Sequence, residues 1–301
     1  AGDEPTLDAW EARPQPPMVY IHPADRIATY NAYTDTLTYV TVRNASRVDF
    51  GLYRLPLDDF INLNGDSWWE AWDAYRGDEA SLLNQWTLEV KAELDSNVIY
   101  RVDLGDRSGL GDKLPPGLYY LEANIDQESI FPEAEGGSDL YNLRARQMLV
   151  VSQNNLTLKT SNNQMLAWVT DLDSGQPIAE LPVSFLSPTG GNLGSGVTGV
   201  DGTAVTDHAP ISDPWQPRFA LIGDPEDPDE SFAITSNQWT NGIERYAFDN
   251  ISTEDYLQPY AAQFYTERQI YRPGQTVYFK GIIRGDDDAR YSLPTGRETV
   301  E

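Results

Sequence analysis

The sequence contains no cysteine, only two histidines and only four lysines among its 301 residues. Without cysteine the chain has no disulfide framework, cysteine-ligated zinc site, iron–sulfur ligand or thiol nucleophile. His22 and His208 lie far apart in the sequence, and neither belongs to a recognisable metal-ligand pattern. We therefore predict no catalytic residue, no cofactor-binding residue and no metal ligand in this chain.

Long apolar runs and basic clusters are also missing. The apolar runs are only a few residues long, whereas a membrane-spanning helix needs about 20 apolar residues. Lys and Arg total 21 against 47 Asp and Glu, which gives a net charge of −26. Because such a surface repels phosphates, the composition excludes nucleic acid and anionic lipid as partners. Self-repulsion at this charge also predicts a monomer.

Most of the remaining sequence has a period of two. The stretches Thr36–Val42, Thr87–Leu94, Met165–Val169 and Thr276–Ile283 are short, rich in β-branched or aromatic residues, and bounded by Gly, Pro, Asn and Asp. This pattern is typical of half-buried antiparallel strands. We therefore predict an all-β fold of tandem antiparallel β-sandwiches, of the fibronectin-like kind, and no parallel helix-flanked sheet.

One segment departs from that period. Large apolar residues recur there at three- and four-residue spacing, namely Trp68, Trp69, Trp72, Tyr75, Leu82, Leu83 and Trp86. This spacing predicts a short helical insertion at about 66–86, with Ser67 as its N-cap and Gly77 between two helices. We expect the tryptophans to pack against a sheet; the alternative is a flat platform for stacking sugars.

The chain divides into a leading segment and three modules. The leading segment covers residues 1–17, and the first sandwich, which carries the insertion, covers 18–150. A polar hinge at Ser152–Asn155 opens the second sandwich, 151–249, and a linker at 250–261 precedes the third module, 262–301. Since a sandwich needs about 100 residues, we expect this third module to be truncated and the chain to be a fragment of a longer protein.

Two motifs look chemical but favour turns. Gly194–Gly199 matches the dinucleotide fingerprint G-x-G-x-x-G, which requires a following helix. A strand with a turn at Asp201-Gly202 follows instead, so we predict a β-hairpin with glycine bends. Asp171–Gly175 begins like a calcium loop but lacks the later bidentate glutamate, so we predict a turn.

Other short patterns receive the same interpretation. The acidic loops at 224–230 and 286–288 are expected to be solvated loop tips, with weak divalent-cation binding as the alternative. The two Arg-Gly-Asp tripeptides, at 76–78 and 284–286, match an adhesion motif that is too short to be informative. A turn explains both.

The segment Tyr265–Arg284 resembles a macroglobulin-like domain of the alpha-2-macroglobulin family. The matching features are Tyr-Arg-Pro-Gly at 271–274, Thr-Val at 276–277 and Lys-Gly at 280–281, while Glu267 stands where Asp is commoner. The segments 166–178 and 194–202 resemble the preceding macroglobulin domain of bacterial members, and 44–55 and 114–119 resemble a bacterial domain with a helical insertion. The resemblance covers residues 18–301.

The resemblance implies a non-enzymatic scaffold fragment of a bacterial alpha-2-macroglobulin-like protease inhibitor, an endopeptidase trap. Its partners would be target proteases, through the full-length protein, and neighbouring macroglobulin domains. A reactive Cys–Gln thioester and a bait segment would lie outside this cysteine-free chain. The expected location is extracellular, in the periplasm or at the cell surface, where the full-length protein could carry a lipid anchor.

Two other functions stay open from the sequence. A surface adhesion or polysaccharide-binding β-sandwich module would show a row of coplanar, exposed tryptophans. A hydrolase would show a cleft in which acidic side chains converge.

The net charge of −26 predicts a response to salt. Because screening weakens repulsion between exposed carboxylates, we expect the thermal midpoint of unfolding to rise between low and moderate ionic strength. Differential scanning calorimetry in NaCl at fixed pH measures the shift. A flat or falling midpoint would contradict the repulsion argument.

Overall fold

The computed structural model describes residues 14–23, 25–134, 143–161, 163–209, 213, 216–227, 230–239, 260–287 and 290–294. Its chain divides into two compact units, residues 1–209 with 216–240, and residues 210–215 with 241–301. The first unit contains two sandwiches.

The described residues of the first sandwich form eight strands. In chain order these are β1 (Met18–His22), β2 (Ile27–Asn31), β3 (Leu37–Arg43), β4 (Arg47–Arg54), β5 (Leu82–Glu89), β6 (Val98–Asp103), β7 (Gly117–Asn124) and β8 (Arg144–Ser152). One sheet has the order β1-β3-β6, and the other has the order β2-β8-β7-β4-β5. The strand pairs are antiparallel except β2 with β8, which are parallel.

The part of the second sandwich that the structure describes has seven strands. They are β9 (Asn154–Thr160), β10 (Gln164–Asp171), β11 (Pro182–Leu186), β12 (Asn192–Val197), β13 (Thr203–Asp207), β14 (Phe219–Ile222) and β15 (Ala233–Ser236). The sheets have the orders β13-β10-β9 and β12-β11-β14-β15. Both sandwiches are mostly antiparallel, and the all-β prediction is confirmed.

Each sandwich encloses its own hydrophobic core. Val40, Val42 and Leu121 are fully buried between the sheets of the first sandwich. Met165 and Ala167 are fully buried between the sheets of the second. These residues occupy the inward positions of strands in which every second side chain points into the core.

A third core joins the two sandwiches. It lies on the outer face of the five-stranded sheet, where Met148 and Val150 of β8 contact Phe232 and Ile234 of the second sandwich. Because the opposite face of β8 contributes Leu149 and Val151 to the first core, this strand is buried on both faces. The run Met-Leu-Val-Val at 148–151 carries that signature, because strands buried on both faces read as continuous apolar runs.

In the described residues, three short α-helices interrupt the strands: α1 (Leu57–Asn62), α2 (Trp68–Ala74) and α3 (Leu104–Ser108). The insertion predicted at 66–86 is therefore half wrong, because only 68–74 is α-helical and Leu82 to Trp86 belong to β5. Pairing with β4 along that stretch overrides the helical spacing. Ser67 precedes α2 with a left-handed φ of 43° and makes no side-chain cap.

The described part of the second unit is a small antiparallel sheet. Its strands are β16 (Tyr260–Thr266), β17 (Phe279–Asp287) and β18 (Arg290–Ser292), in the order β16-β17-β18. The predicted strand at 276–283 begins later, at Phe279, and the last two residues of the predicted linker belong to β16. Gly274 has φ of 84°, and the amide of Gln275 donates to the carbonyl of Arg272 (3.1 Å), so Arg272–Gln275 forms a type II turn.

The third core predicts the effect of one substitution. Phe232 is fully buried there, so Phe232→Ala should cost about 3–5 kcal/mol of unfolding free energy through lost transfer energy and a residual cavity. Urea unfolding followed by tryptophan fluorescence measures it. Val200→Ala is the control, because Val200 is 93% exposed and its loss should stay within about 0.5 kcal/mol. Equal effects for the two variants would contradict the joined core.

Candidate functional site

Hydrogen bonds join the two sandwiches at the polar stretch Ser152–Asn155, which the sequence predicts as a hinge. Ser152 ends β8, and its buried hydroxyl donates to the carbonyl of Phe232 (2.7 Å). Asn154 begins β9, and its side-chain amide donates to the hydroxyl of Ser231 (2.6 Å). The predicted polar hinge is therefore a buried, hydrogen-bonded connection, because these polar side chains satisfy backbone and side-chain groups of the second sandwich.

A second contact crosses the same boundary at the surface. The hydroxyl of Tyr33, in the first sandwich, donates to the Oδ2 atom of Asp171, at the end of β10 (2.6 Å). The Oδ1 atom of Asp171 accepts from the amide of Ser174 (2.7 Å), and the amide of Gly175 donates to the Asp171 carbonyl (2.8 Å). The calcium-like motif at 171–175 is thus a turn, as predicted, and it also carries this bond between sandwiches.

The electrostatics of this pair keep the bond in place over a wide pH range. The hydrogen bond from Tyr33, followed by those from Ser174, lowers the pKa of Asp171 to about 2. The same bond to the carboxylate, with a smaller contribution from burial, raises the pKa of Tyr33 to about 12. The phenol is therefore protonated and the carboxylate ionised at neutral pH, the combination that makes a strong hydrogen bond.

Helix α2 docks on the five-stranded sheet through an aromatic cluster around Tyr120. The ring of Tyr120 lies 5.0 Å from that of Tyr75, 5.9 Å from that of Tyr53 and 6.1 Å from that of Trp72, between centroids. Burial raises the pKa of Tyr120 and is the largest cause of the raised pKa of Tyr75, so both phenols stay neutral. The cluster serves packing, because edge-to-face rings stabilise contacts beyond their buried area.

Two glycines make room for the ring of Tyr53. A Cβ atom at Gly51 or at Gly77 would lie 2.6 Å from an atom of the Tyr53 side chain, closer than any real Cβ contact. Gly77 is the centre of the first Arg-Gly-Asp tripeptide, and Asp78 caps the next turn by accepting from the amide of Ala80 (3.0 Å). Close packing and capping therefore explain this tripeptide. The second tripeptide lies within strand β17, so the turn predicted for it is wrong.

The tryptophans of α2 do not form a flat platform. Trp68 and Trp69 are 37% and 57% exposed, so their predicted burial is wrong, but their rings are inclined at 82°. Arg26 lies over the ring of Trp68, 3.6 Å from its centroid. Trp72 packs into the third core, and Trp86 stacks on Phe50 with centroids 5.1 Å apart.

The glycine-rich motif at 194–199 closes one edge of the second sandwich. A strand follows it, but β12 and β13 belong to different sheets, so the connection is an arch and the hairpin prediction is wrong. A Cβ atom at Gly194 would lie 2.3 Å from the hydroxyl of Thr206, and one at Gly196 would lie 3.3 Å from the Cβ of Ala204. Glycine occupies positions 194 and 196 because the two sheets approach closely there.

A polar hollow of about 280 Å³ lies on the outer face of β4, β5 and β7. Asp49 and Glu122 are the carboxylates in its lining. Asp49 accepts from the hydroxyl of Thr87 (2.5 Å), and Glu122 accepts from the guanidinium of Arg144 (2.9 Å). The Glu122 carboxylate is thus held in an ion pair with Arg144.

The other candidate sites give little chemistry. The Nε2 atom of His22 lies 2.7 Å from the hydroxyl of Thr41, and the Nδ1 atom of His208 lies 2.7 Å from the carbonyl of Ala209. In the acidic loop at 224–230 the Asp224 carboxylate accepts from the amide of Glu226 (2.9 Å), while residues 228 and 229 lie outside the described residues, as does Asp288. Within the described ranges, no three His, Cys, Asp or Glu side chains are grouped to hold a metal ion.

The helices of the described residues are short. None of the helices there combines the length and the apolar composition that a bilayer crossing requires.

Comparison with known proteins identifies relatives. The chain is 30% identical over 176 residues to an alpha-2-macroglobulin of Ralstonia nicotianae, which covers 57% of this chain and 9% of that relative. The chain thus spans about a tenth of the length of this curated relative. No protein-family profile matches the chain.

Solved structures agree on the fold. Trypsin-activated alpha-2-macroglobulin from Escherichia coli has a TM-score of 0.58 at 16% identity, covering 90% of this chain and 17% of that chain. Salmonella alpha-2-macroglobulin reacted with methylamine has a TM-score of 0.55 at 15% identity, covering 91% and 15%. A native Escherichia coli structure spanning domains NIE-MG1 has a TM-score of 0.51 at 13% identity, covering 74% and 97%.

The Tyr33–Asp171 bond predicts a specific change with pH. Tyr33→Phe should raise the pKa of Asp171 from about 2 toward its usual value, because the hydrogen bond that contributes most to lowering this pKa is lost. A depressed carboxyl pKa stabilises the fold above the unfolded value near 3.9 and loses that effect as pH falls toward 2. The stability difference between wild type and variant should therefore be constant from about pH 5 to 9 and shrink below pH 4.

Carbon-detected NMR titration of Asp171 and urea unfolding between pH 2.5 and 7 measure both effects. The control is Tyr39→Phe, which removes the hydroxyl of a tyrosine that is 47% exposed on β3. An unchanged Asp171 titration in Tyr33→Phe would show that the hydrogen bond does not set its pKa.

Proposed function

Because the chain is 30% identical to a bacterial alpha-2-macroglobulin over 57% of its length and shares the fold of such proteins, we propose that it belongs to this family and is a non-catalytic scaffold section of an inhibitor that traps proteases. On this proposal the longer protein carries the parts that meet a protease, and this section holds its neighbours in place. The protein would act outside the cytoplasm, in the periplasm or at the cell surface.

The joined core of the two sandwiches is the observation that supports this role most directly. Phe232 and Ile234 of the second sandwich complete a core on the first, and Ser152 and Asn154 bond across the same boundary. Independent domains connected by a flexible linker would rotate freely, whereas a shared core holds their relative orientation. A section of this kind can transmit a rearrangement as a rigid lever.

The described polar groups support a non-enzymatic role. The carboxylates of Asp126 and Glu122 are paired with arginines, and that of Asp171 is bonded to Tyr33. A catalytic acid or base requires a group whose protonation changes near neutral pH. The lowered pKa of Asp126 and Asp171 favours instead their permanent ionisation as hydrogen-bond acceptors.

The arrangement of the tryptophans bears on the alternative function, polysaccharide binding. Sugar-stacking platforms need ring faces that are exposed and coplanar, but Trp68 and Trp69 are nearly perpendicular and Arg26 covers one of them. This geometry favours the scaffold over the sugar-binding module.

Protease trapping can be tested on the full-length protein. We expect that, after incubation with a broad-specificity protease such as trypsin, cleavage of a small peptide substrate persists while cleavage of a large protein substrate falls at least ten-fold. A cage admits small substrates and excludes large ones, whereas an active-site inhibitor blocks both. The comparison uses a chromogenic peptide and a labelled casein in parallel.

The matched control is the 301-residue chain alone, which should inhibit neither substrate because a scaffold section cannot enclose a protease. Loss of peptide cleavage with the full-length protein, or undiminished casein cleavage, would overturn the proposed function. Inhibition by the 301-residue chain would show that it carries an inhibitory site of its own.

A further inference from the structure

Strand β10 has an apolar run on both of its faces. Met165, Ala167 and Val169 point into the core of the second sandwich and are fully buried. The intervening residues, Leu166 and Trp168, are also apolar, and Trp168 is 43% exposed on the opposite face. An antiparallel strand with one solvated face alternates apolar and polar residues, so this run departs from the expected pattern.

The neighbouring strands extend this apolar surface. In the sheet β13-β10-β9, Leu166 lies between Val205 of β13 and Lys159 of β9. Trp168 lies between Thr203 of β13 and Thr157 of β9. We call these six residues the β10 outer face. Val205 is 46% exposed, which adds a second large apolar side chain beside Trp168.

The first sandwich shows what such a run means within this same molecule. The run at 148–151 of β8 is also apolar on both faces, and its outer face is covered by Phe232 and Ile234. The β10 outer face has the same sequence signature, but among the described residues no apolar core cluster includes Leu166, Trp168 or Val205. The two strands therefore differ in what covers them and not in their composition.

Charge on the β10 outer face is opposite to that of the chain. Asp and Glu total 47 in the sequence, yet none occupies this face, and Lys159 is one of only four lysines. The adjoining position on the same side of β13 is Asp207, whose carboxylate accepts from the side-chain amide of Gln164 (2.9 Å). Electrostatics thus favour a covering surface with an apolar centre and acidic groups around it.

The size of the β10 outer face selects between possible covers. Three strands about 4.8 Å apart and about five residues long give a footprint of roughly 250 Å². A stable dimer needs about 800 Å² from each partner, whereas small contacts between domains of one chain need only about 300 Å² per side. Covalent linkage makes such small contacts effective, because it supplies millimolar effective concentrations.

We propose that the β10 outer face is the docking surface for another domain of the longer polypeptide, one that presents an apolar centre and an acidic rim. The inference depends on one part of the proposed function, namely that the chain is a section of a longer protein. It assigns Trp168 and Val205 as the central contacts and Lys159 as the charged rim contact.

Side-chain oxidation tests this assignment. Hydroxyl-radical footprinting with mass spectrometry gives the oxidation rate of Trp168 in the 301-residue chain and in the full-length protein, with a free tryptophan peptide as dosimeter. We expect the rate in the full-length protein to be at least five-fold lower. Equal rates in the two proteins would overturn the proposal. A rate that falls with rising concentration of the 301-residue chain would also overturn it, because a second copy would then be the cover.

Variants of the full-length protein locate the contact. Val205→Asp places a charge at the centre and should restore Trp168 oxidation to within two-fold of its rate in the 301-residue chain. Val200→Asp is the matched control, since Val200 is 93% exposed on a turn outside the face and should leave Trp168 protected. Lys159→Glu, which keeps the apolar centre, should raise the oxidation rate two- to five-fold through repulsion of the acidic rim.

The outcomes separate the two proposals. Circular dichroism of each variant in the 301-residue chain verifies that its fold is retained. Protection of Trp168 without protease trapping would overturn the proposed function and support the docking surface. Trapping with an unprotected Trp168, or trapping with protection that Val205→Asp does not change, would overturn the docking surface alone.

Discussion

The structure depends on the burial of the five-stranded sheet on both of its faces. An antiparallel sheet in a sandwich ordinarily keeps one face in water, and a domain built that way can move independently of its neighbours. Here the outer face carries Met148, Val150 and Tyr120, which would leave a large apolar surface exposed if nothing covered it. Helices α1 and α2 and the second sandwich supply that cover. The two sandwiches therefore pack as one unit, because the second sandwich buries the apolar outer face of the five-stranded sheet of the first.

The acidic composition is compatible with this packing because several surface carboxylates accept hydrogen bonds that stabilise turns. Asp126 accepts from the hydroxyl and amide of Ser129 and from Arg47, and Asp201 accepts from the amide and hydroxyl of Thr203. Hydrogen bonding to the ionised form lowers the pKa of both carboxyl groups. A net charge of −26 thus includes groups that hold turns together, and repulsion between them is the opposing cost.

Alternation of polar and apolar residues was sufficient to predict the sandwich class and several strands, such as β3 and β10. It failed where tertiary pairing overrides local spacing: Leu82 to Trp86 have helical spacing but pair with β4. The glycines at 194 and 196 indicated a turn region, but their role in sheet closure depends on Thr206 and Ala204, which the motif does not include. Contacts of that kind follow from the assembled fold and cannot be derived from one segment.

The contacts between the two sandwiches could be predicted from the sequence only in part. Ser152 and Asn154 resemble a flexible linker because polar residues at a boundary usually face water. The bond between Tyr33 and Asp171 joins residues far apart in the sequence, so no local pattern could have paired them. The continuous apolar run of β8 did carry information, since a strand that is apolar on both faces requires a cover on each. Periodicity therefore predicts more than the type of element: where it breaks down within a strand, it also marks the surface that another part of the protein must bury.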